Sequence, residues 1–208
     1  MAHKVVGHKI TKPTLLAKQI LDFFADRLKV QQREAGVRHD LIDAVFALGG
    51  EDDLVRLLAR VKALQGFVGT ADGVNLLAGY KRAANILKSS PSLLGEGDRP
   101  KGGGGENAPP SVADAPATSP SKLGEELVET ALREALNTAE PLAAAAIARE
   151  DFEAAMSALA SLRAPIDAFF EGVMVNDPDL QKRADRLGLL ARFRDAVHRV
   201  ADFSKIEG

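Results

Sequence analysis

Apolar residues recur along this chain at spacings of three and four, the period of one face of an α-helix. The stretch "LLAKQILDFFADRL" (15–28) follows this period and predicts a helix with one apolar face. That face consists of Leu16, Ile20, Phe23, Phe24 and Leu28. The same period predicts helices over "LIDAVFAL", 51–68 and 73–88. Asp40 suits the N-cap of "LIDAVFAL", and Gly49 and Gly50 suit its end.

The helical period continues in the second half of the chain. It runs through "LGEELVETALREAL", "PLAAAAIA", "EDFEAAMSALASL" and "APIDAFFEGV", and a long final helix is predicted from about Pro178 to Asp202. Pro141 and Pro165 suit first-turn positions of two of these helices. Only the short "GVMV" has the composition of a strand. The prediction is an all-α fold, a helical bundle of about nine helices.

Residues 89–122 differ from both flanks. They contain six Gly, six Pro and six Ser, including "KGGGG" and "APPSVADAPATSPS". Such a stretch cannot bury enough apolar surface to offset the entropy lost on ordering. We predict a flexible insertion that is dispensable for folding.

Two arginines interrupt the apolar stripe of the final helix. The stripe runs through Leu190, Phe193, Val197 and Val200, and one and two turns earlier it reaches Arg186 and Arg183. An arginine can lay its stem along apolar surface and keep its guanidinium at the rim of the core. Each arginine is therefore either a structural partner of Asp167, Glu171 or Asp185, or a residue that faces RNA. We expect the RNA-facing role for Arg186 and the structural role for Arg183.

Composition narrows the classes of protein that remain. The chain is 46% hydrophobic, has no cysteine, and has no apolar run that approaches the ~18 residues of a membrane span. We expect a cytoplasmic location with no membrane partner. Residues 1–90 hold 14 Lys and Arg against 9 Asp and Glu, whereas residues 123–208 hold 10 against 16. Any RNA binding must therefore depend on a local basic patch.

Signals for catalysis or DNA binding are weak. "RHDLID" contains a His-Asp doublet, but the chain has only four histidines and no His-x-x-x-His spacing for a metal site. "KGGGGENAPP" matches no phosphate-binding loop, and no Gly-x-Ser-x-Gly is present. A helix-turn-helix over 41–61 would open its recognition helix with Glu51, Asp52 and Asp53, which DNA phosphates would repel. We expect no catalytic residue, metal ligand, cofactor or DNA partner in this chain.

The helix over 73–88 is the best candidate for a binding site. In "GYKRAANILK" one face is apolar and the other is polar. The polar face carries Lys81, Arg82, Asn85 and Lys88. Cations can hold phosphates while an amide reads a base edge. On the pattern alone, an ordinary solvated helix face is the favoured alternative.

Several long blocks of the chain resemble one protein family. The blocks are "FFADRLKV", "GVRHDLIDAVFALGG", "LLAGYKRAANIL", "APIDAFFEGVMVN" and "RVADFSKIEG". Together they closely resemble the C-terminal end of the beta subunit of the bacterial two-subunit glycine–tRNA ligase. The resemblance covers nearly the whole chain except residues 89–122. In place of the family's Arg-x-Asn-Arg-Leu this chain has "RADRL", with Asp185 for the asparagine. Its insertion is also longer and richer in glycine than the family's.

The resemblance implies a division of the chain and a role. Residues 1–72 look like the helical end of the beta-subunit body, and 73–208 look like the anticodon-binding domain shared with arginine–tRNA ligase. The complete enzyme joins glycine to its tRNA using ATP and magnesium, and the partner alpha subunit carries the active site. The implied role of this chain is binding the tRNA near its anticodon, with no catalysis or cofactor of its own. A helical scaffold that docks the alpha subunit or another protein is the alternative.

Overall fold

The computed structural model describes residues 13–49, 53–90 and 120–207. These ranges contain eight α-helices and a 3-10 turn at Phe203–Lys205. The helices are α1 Pro13–Glu34, α2 His39–Phe46, α3 Leu54–Val68, α4 Ala71–Ser89, α5 Pro120–Ala148, α6 Phe152–Ala160, α7 Arg163–Gly172 and α8 Leu180–His198. The all-α class is confirmed for the described residues, whereas the expected number of about nine helices is not.

The prediction that Pro141 begins a helix is wrong. Helix α5 runs through it without a break, and the two predicted helices on either side of Pro141 are one. Proline removes a hydrogen bond within a helix and crowds the preceding turn. Buried residues on both sides, such as Leu136 and Ala143, anchor both halves of α5 in the same core. The packing of both halves offsets that cost. Pro165 does occupy the first turn of α7.

Asp40 is not the cap of α2. The helix begins at His39, and its N-cap is Arg38, which makes no side-chain capping bond. The Asp40 carboxylate lies in the first turn, buried, and accepts hydrogen bonds from the Arg38 guanidinium and from the backbone N–H of Glu207 at 2.9 Å. Burial alone would raise the pKa of Asp40, but these bonds together hold it below its usual value. Asp40 thus fastens the last described residues of the chain onto α2.

The core is one continuous cluster that extends from Leu41 to Ile206. Helix α8 crosses it, and its predicted stripe of Leu190, Phe193, Val197 and Val200 is fully buried. Helix α8 packs against α4 and α5, and α5 packs in turn against α6 and α7. Residues before and after position 72 share this cluster. The division into units 1–72 and 73–208 remains a prediction.

The apolar face of α1 is not part of this core where the structure describes it. Ile20, Phe23 and Phe24, which lie on the predicted apolar face, are 46%, 58% and 52% exposed. Leu28 is half-buried, and the side chain of Leu16 lies outside the described residues. Helix α1 packs against α2 near its C-terminal end, where Lys29 and Arg33 approach Asp43 at 3.6 and 3.7 Å. An amphipathic helix therefore presents its apolar side to the surface.

The predicted insertion at 89–122 lies mostly outside the described residues. Helix α4 extends through Ser89 and α5 begins at Pro120, so helical structure occupies both ends of that segment. The described ranges contain no helix long and apolar enough to cross a lipid bilayer.

Candidate nucleic-acid interface

Helix α4 starts at a tight corner after α3. The Thr70 hydroxyl accepts a hydrogen bond from the Gly73 N–H at 3.0 Å, which caps the helix. A Cβ atom at Gly73 would lie 2.0 Å from the carbonyl oxygen of Phe67, so only glycine fits here. The corner directs Leu76, Tyr80 and Ala83 into the core. The opposite side of α4 is left at the surface.

The predicted polar side of α4 lies where the sequence placed it. Arg82, Asn85 and Lys88 are exposed, and Lys81 is half-buried. We refer to Lys81, Arg82, Asn85 and Lys88 as the α4 face. Its formal charge is positive, since no carboxylate is among its four members. It can offer cations to phosphates and one amide to a base edge.

Arg82 is held in a defined position. Its Cζ atom lies 4.3 Å from the centroid of the Phe170 ring, and its Nη2 donates to the Phe170 carbonyl oxygen at 3.3 Å. The two helices approach closely at Gly79, where an added Cβ would lie 3.3 Å from a methyl carbon of Ile166. One turn further along both helices, Arg82 meets Phe170. The contact between α4 and α7 therefore fixes this arginine.

Arg186 is buried, and the expectation that it faces RNA is wrong. Its side chain is 1% exposed. Nε donates to Glu129 at 2.7 Å, Nη2 to Glu125 at 2.8 Å, and Nη1 to Asp177 at 2.8 Å. Nη1 also donates to the carbonyl oxygen of Met174 at 2.7 Å. The expected partners Asp167, Glu171 and Asp185 are not among them. We call Arg186, Glu125, Glu129 and Asp177 the Arg186 cluster.

The Arg186 cluster joins three parts of the fold. Glu125 and Glu129 lie one turn apart near the start of α5, and Asp177 lies in the loop between α7 and α8. Burial would lower the pKa of Arg186, but the hydrogen bonds that it donates to Glu129 and Glu125 outweigh burial and raise that pKa. The pKa of Asp177 is lowered, mainly by the hydrogen bond from the backbone N–H of Asp179 and to a smaller extent by Arg186. The cluster holds these parts of the fold together, and each guanidinium nitrogen of Arg186 donates to a partner within the fold.

Arg183 makes a contact within the fold, but its partner is none of the three carboxylates expected for it. It is half-buried, and its Nε donates to the Asp177 carbonyl oxygen at 3.2 Å. Asp185, which replaces the asparagine of the resembling family, is exposed and accepts from the Gln181 amide at 3.1 Å. Arg183 thus supports the same loop that the Arg186 cluster holds.

Two further polar clusters were not found from the sequence. The Arg192 guanidinium donates to Glu140 at 2.7 and 3.1 Å and to Asn137 at 2.8 Å, which joins α8 to α5. Tyr80 stacks on His198 and hydrogen-bonds to it, while burial raises the pKa of Tyr80 to about 12. Partners more than 50 residues apart leave no local pattern. In the described ranges no group of three or more potential ligands is placed to hold a metal ion.

Comparisons with known proteins confirm the resemblance. The chain is 52% identical over 189 residues to the glycine–tRNA ligase beta subunit of Rhodospirillum centenum, which covers 91% of this chain and 24% of that protein. It is 49% identical over 193 residues to the beta subunit of Phenylobacterium zucineum, covering 93% and 26%. It is 45% identical over 197 residues to the beta subunit of Paracoccus denitrificans, and this match covers 95% of this chain and 26% of that protein. No protein-family model matches the chain.

The chain is therefore homologous, over about nine-tenths of its length, to glycine–tRNA ligase beta subunits. It spans about a quarter of the length of these curated relatives, a share consistent with a C-terminal region.

Proposed function

We propose that this chain is the tRNA-binding, anticodon-recognising C-terminal part of a glycine–tRNA ligase beta subunit. The observation that carries the proposal is the identity of about 50% to beta subunits along nearly the whole chain. The complete enzyme would attach glycine to its tRNA using ATP and magnesium, with an alpha subunit as the partner. The role of this chain is to hold the tRNA near its anticodon.

The α4 face is the proposed RNA surface. Its cations hold loop phosphates, and Asn85 reads the edge of a splayed base. The exposure of Arg82, Asn85 and Lys88 supports this role, since each is accessible to a large ligand. Arg186 is excluded from the surface by its burial, and Arg183 has the structural role described above.

A salt titration tests the RNA surface. The 208-residue chain is titrated with glycine tRNA at several salt concentrations, beside a double variant Lys81→Ala, Lys88→Ala. Each lost phosphate contact should reduce the slope of log affinity against log salt by about 0.7 to 0.9. The matched control is Lys122→Ala, Lys205→Ala, which removes two exposed lysines outside α4. An unchanged slope and affinity in the α4 variant would contradict the proposal.

Anticodon recognition needs a separate comparison. The same chain is titrated with glycine tRNA and with that tRNA carrying an altered anticodon. The proposal requires weaker binding to the altered tRNA. Equal affinity for the two tRNAs would contradict anticodon recognition and would support only RNA binding by this chain.

The exposed side of α1 supports a second candidate function, the docking of a protein. Ile20, Phe23, Phe24 and Val30 are each 46–58% exposed along one helix. Apolar surface of this kind marks protein interaction sites. In this alternative the chain is a scaffold that docks the alpha subunit or another protein. The double variant Phe23→Asp, Phe24→Asp should then abolish co-elution with the alpha subunit and leave tRNA affinity unchanged. Co-elution of this variant with the alpha subunit would contradict the docking function.

A further inference from the structure

Arg82 differs in kind from the lysines of the α4 face. A guanidinium is planar and stacks on aromatic surfaces, whereas an ammonium group is a compact and strongly hydrated charge. The contact between α4 and α7 places the Arg82 Cζ atom over the Phe170 ring, 4.3 Å from the ring centroid. One turn earlier, Gly79 of α4 lies close to the Ile166 side chain of α7.

The two sides of the Arg82 guanidinium have different surroundings. Phe170 is 8% exposed and lies beneath it, whereas Arg82 is exposed. The ring contact leaves Arg82 exposed as a residue, so a ligand can approach its side chain from solvent. The ring contact and the hydrogen bond to the Phe170 carbonyl also restrict the side chain before any ligand binds. A group that is already ordered loses less entropy on binding.

Asn85 lies next to this surface. It follows Arg82 by three residues on the same helix, and both side chains are exposed. Residues three apart are neighbours on one face of a helix. A carboxamide offers donors and an acceptor, which matches the edge of a nucleobase. A guanidinium beside an amide can offer a stacking surface to an unstacked base and a hydrogen-bonding partner to its edge.

We propose that Arg82 and Asn85 form a site for one unpaired nucleotide. Its base stacks on the outer side of the Arg82 guanidinium and hydrogen-bonds through its edge to the Asn85 amide. The inference rests on the proposed tRNA binding and assigns Arg82 a stacking role in place of a phosphate contact. Phe170 is the positioning residue that holds Arg82 in place.

A double-mutant cycle with abasic RNA tests the site. The probe is the anticodon stem–loop of glycine tRNA, synthesised with an abasic nucleotide at each loop position in turn. At one position the missing base should weaken binding of the unaltered chain about 5- to 150-fold, the range of base stacking. Arg82→Lys keeps the charge and removes the plane. In this variant the same abasic substitution should cost little, while the salt slope stays unchanged.

Two further variants complete the test. Arg133→Lys, an exposed arginine on α5, is the matched control and should leave every abasic cost as in the unaltered chain. Phe170→Leu removes the ring and keeps apolar volume, so it should reduce the abasic cost at the same position. A urea melt of Phe170→Leu verifies that it folds.

The outcomes separate this inference from the proposed function. Equal abasic costs in the unaltered chain and in Arg82→Lys would overturn the nucleotide site. If those costs are equal and Arg82→Ala also lowers the salt slope, Arg82 contacts a phosphate. In that case the proposed tRNA binding is retained and only the nucleotide site is rejected. An unaltered chain that does not bind the stem–loop or the tRNA would overturn the proposed function and this inference with it.

Discussion

The Arg186 cluster and the α4 face contain similar side chains under opposite conditions. The Arg186 guanidinium is buried and donates to three carboxylates and a carbonyl oxygen. Arg82 is an exposed residue whose guanidinium lies over an aromatic ring and donates to a carbonyl oxygen. Each guanidinium nitrogen of Arg186 therefore donates inside the fold, whereas Arg82 is accessible from solvent.

The comparison shows that position in the fold decides what an arginine does. Removing one member of a buried ion network leaves uncompensated charge, so the fold itself depends on Arg186. An exposed cation contributes little to stability, so the α4 face is available for binding. Stability and RNA affinity should therefore respond to different substitutions.

The largest expected effect is that of Arg186→Met on stability. Methionine keeps much of the apolar stem and leaves Glu125, Glu129 and Asp177 without their shared partner. We expect a loss of about 3 kcal/mol, the lower end for a broken buried pair, since the carboxylates are 18–26% exposed. Urea denaturation measures the loss, and tRNA affinity of the folded protein should stay unchanged. Weaker tRNA binding with an unchanged urea midpoint would reverse the assignment of Arg186.

Arg192→Met is the matched control for that experiment. Arg192 also lies on α8 and also pairs with a carboxylate of α5, but its side chain is 36% exposed. A partly solvated pair is worth roughly 1 kcal/mol or less. A loss equal to that of Arg186→Met would show that burial does not set the difference.

Asp40→Asn should have the next largest effect and extends the comparison to a buried carboxylate. Asparagine keeps the shape but weakens the bonds from Arg38 and from the Glu207 N–H, for an expected loss of about 2 kcal/mol at neutral pH. The pKa of Asp40 is lowered in the fold, so its contribution is present above the unfolded value of about 3.9. It is lost as the pH falls through the lower folded pKa.

The pH dependence provides the measurement. The urea midpoints of the unaltered chain and of Asp40→Asn should differ at pH 7, and the difference should shrink progressively as the pH falls below about 4. A constant difference from pH 7 to pH 3 would show that the charge of Asp40 does not stabilise the contact with the last described residues.

Asn85→Ala should change recognition and leave stability nearly unaltered. The side chain is exposed, and the substitution removes a hydrogen bond worth about 1 kcal/mol. Discrimination between the cognate and altered anticodons should fall about fivefold, with an unchanged salt slope. Both tRNAs are titrated in parallel. A lower salt slope would indicate a contact near phosphate in place of base recognition.

Arg183→Met should have the smallest effect. It removes one hydrogen bond, at 3.2 Å, to the Asp177 carbonyl oxygen. The expected loss of stability is about 0.5 kcal/mol, at the low end for such a bond. The urea midpoint and the tRNA affinity are measured on the same preparation. A marked loss of tRNA affinity in this variant would show that Arg183 contacts RNA.

Local patterns in the sequence predicted much of this fold. The stripe of Leu190, Phe193 and Val197 is buried as predicted, because helical spacing alone determines which side chains share a face. The two sides of α4 follow for the same reason. The single helix across Pro141 could not be predicted in this way, because the core on both sides of it holds α5 together.

The sequence by itself determined the helical class, the face on which each α4 residue lies and, through long matching blocks, the relationship to beta subunits. Tertiary structure alone decided which charges are buried and which are exposed. The partners of Arg186 lie 9 to 61 residues away in the chain, and Phe170 lies 88 residues from Arg82. A periodic pattern describes one helix at a time, whereas burial and ion pairing depend on how separate helices meet.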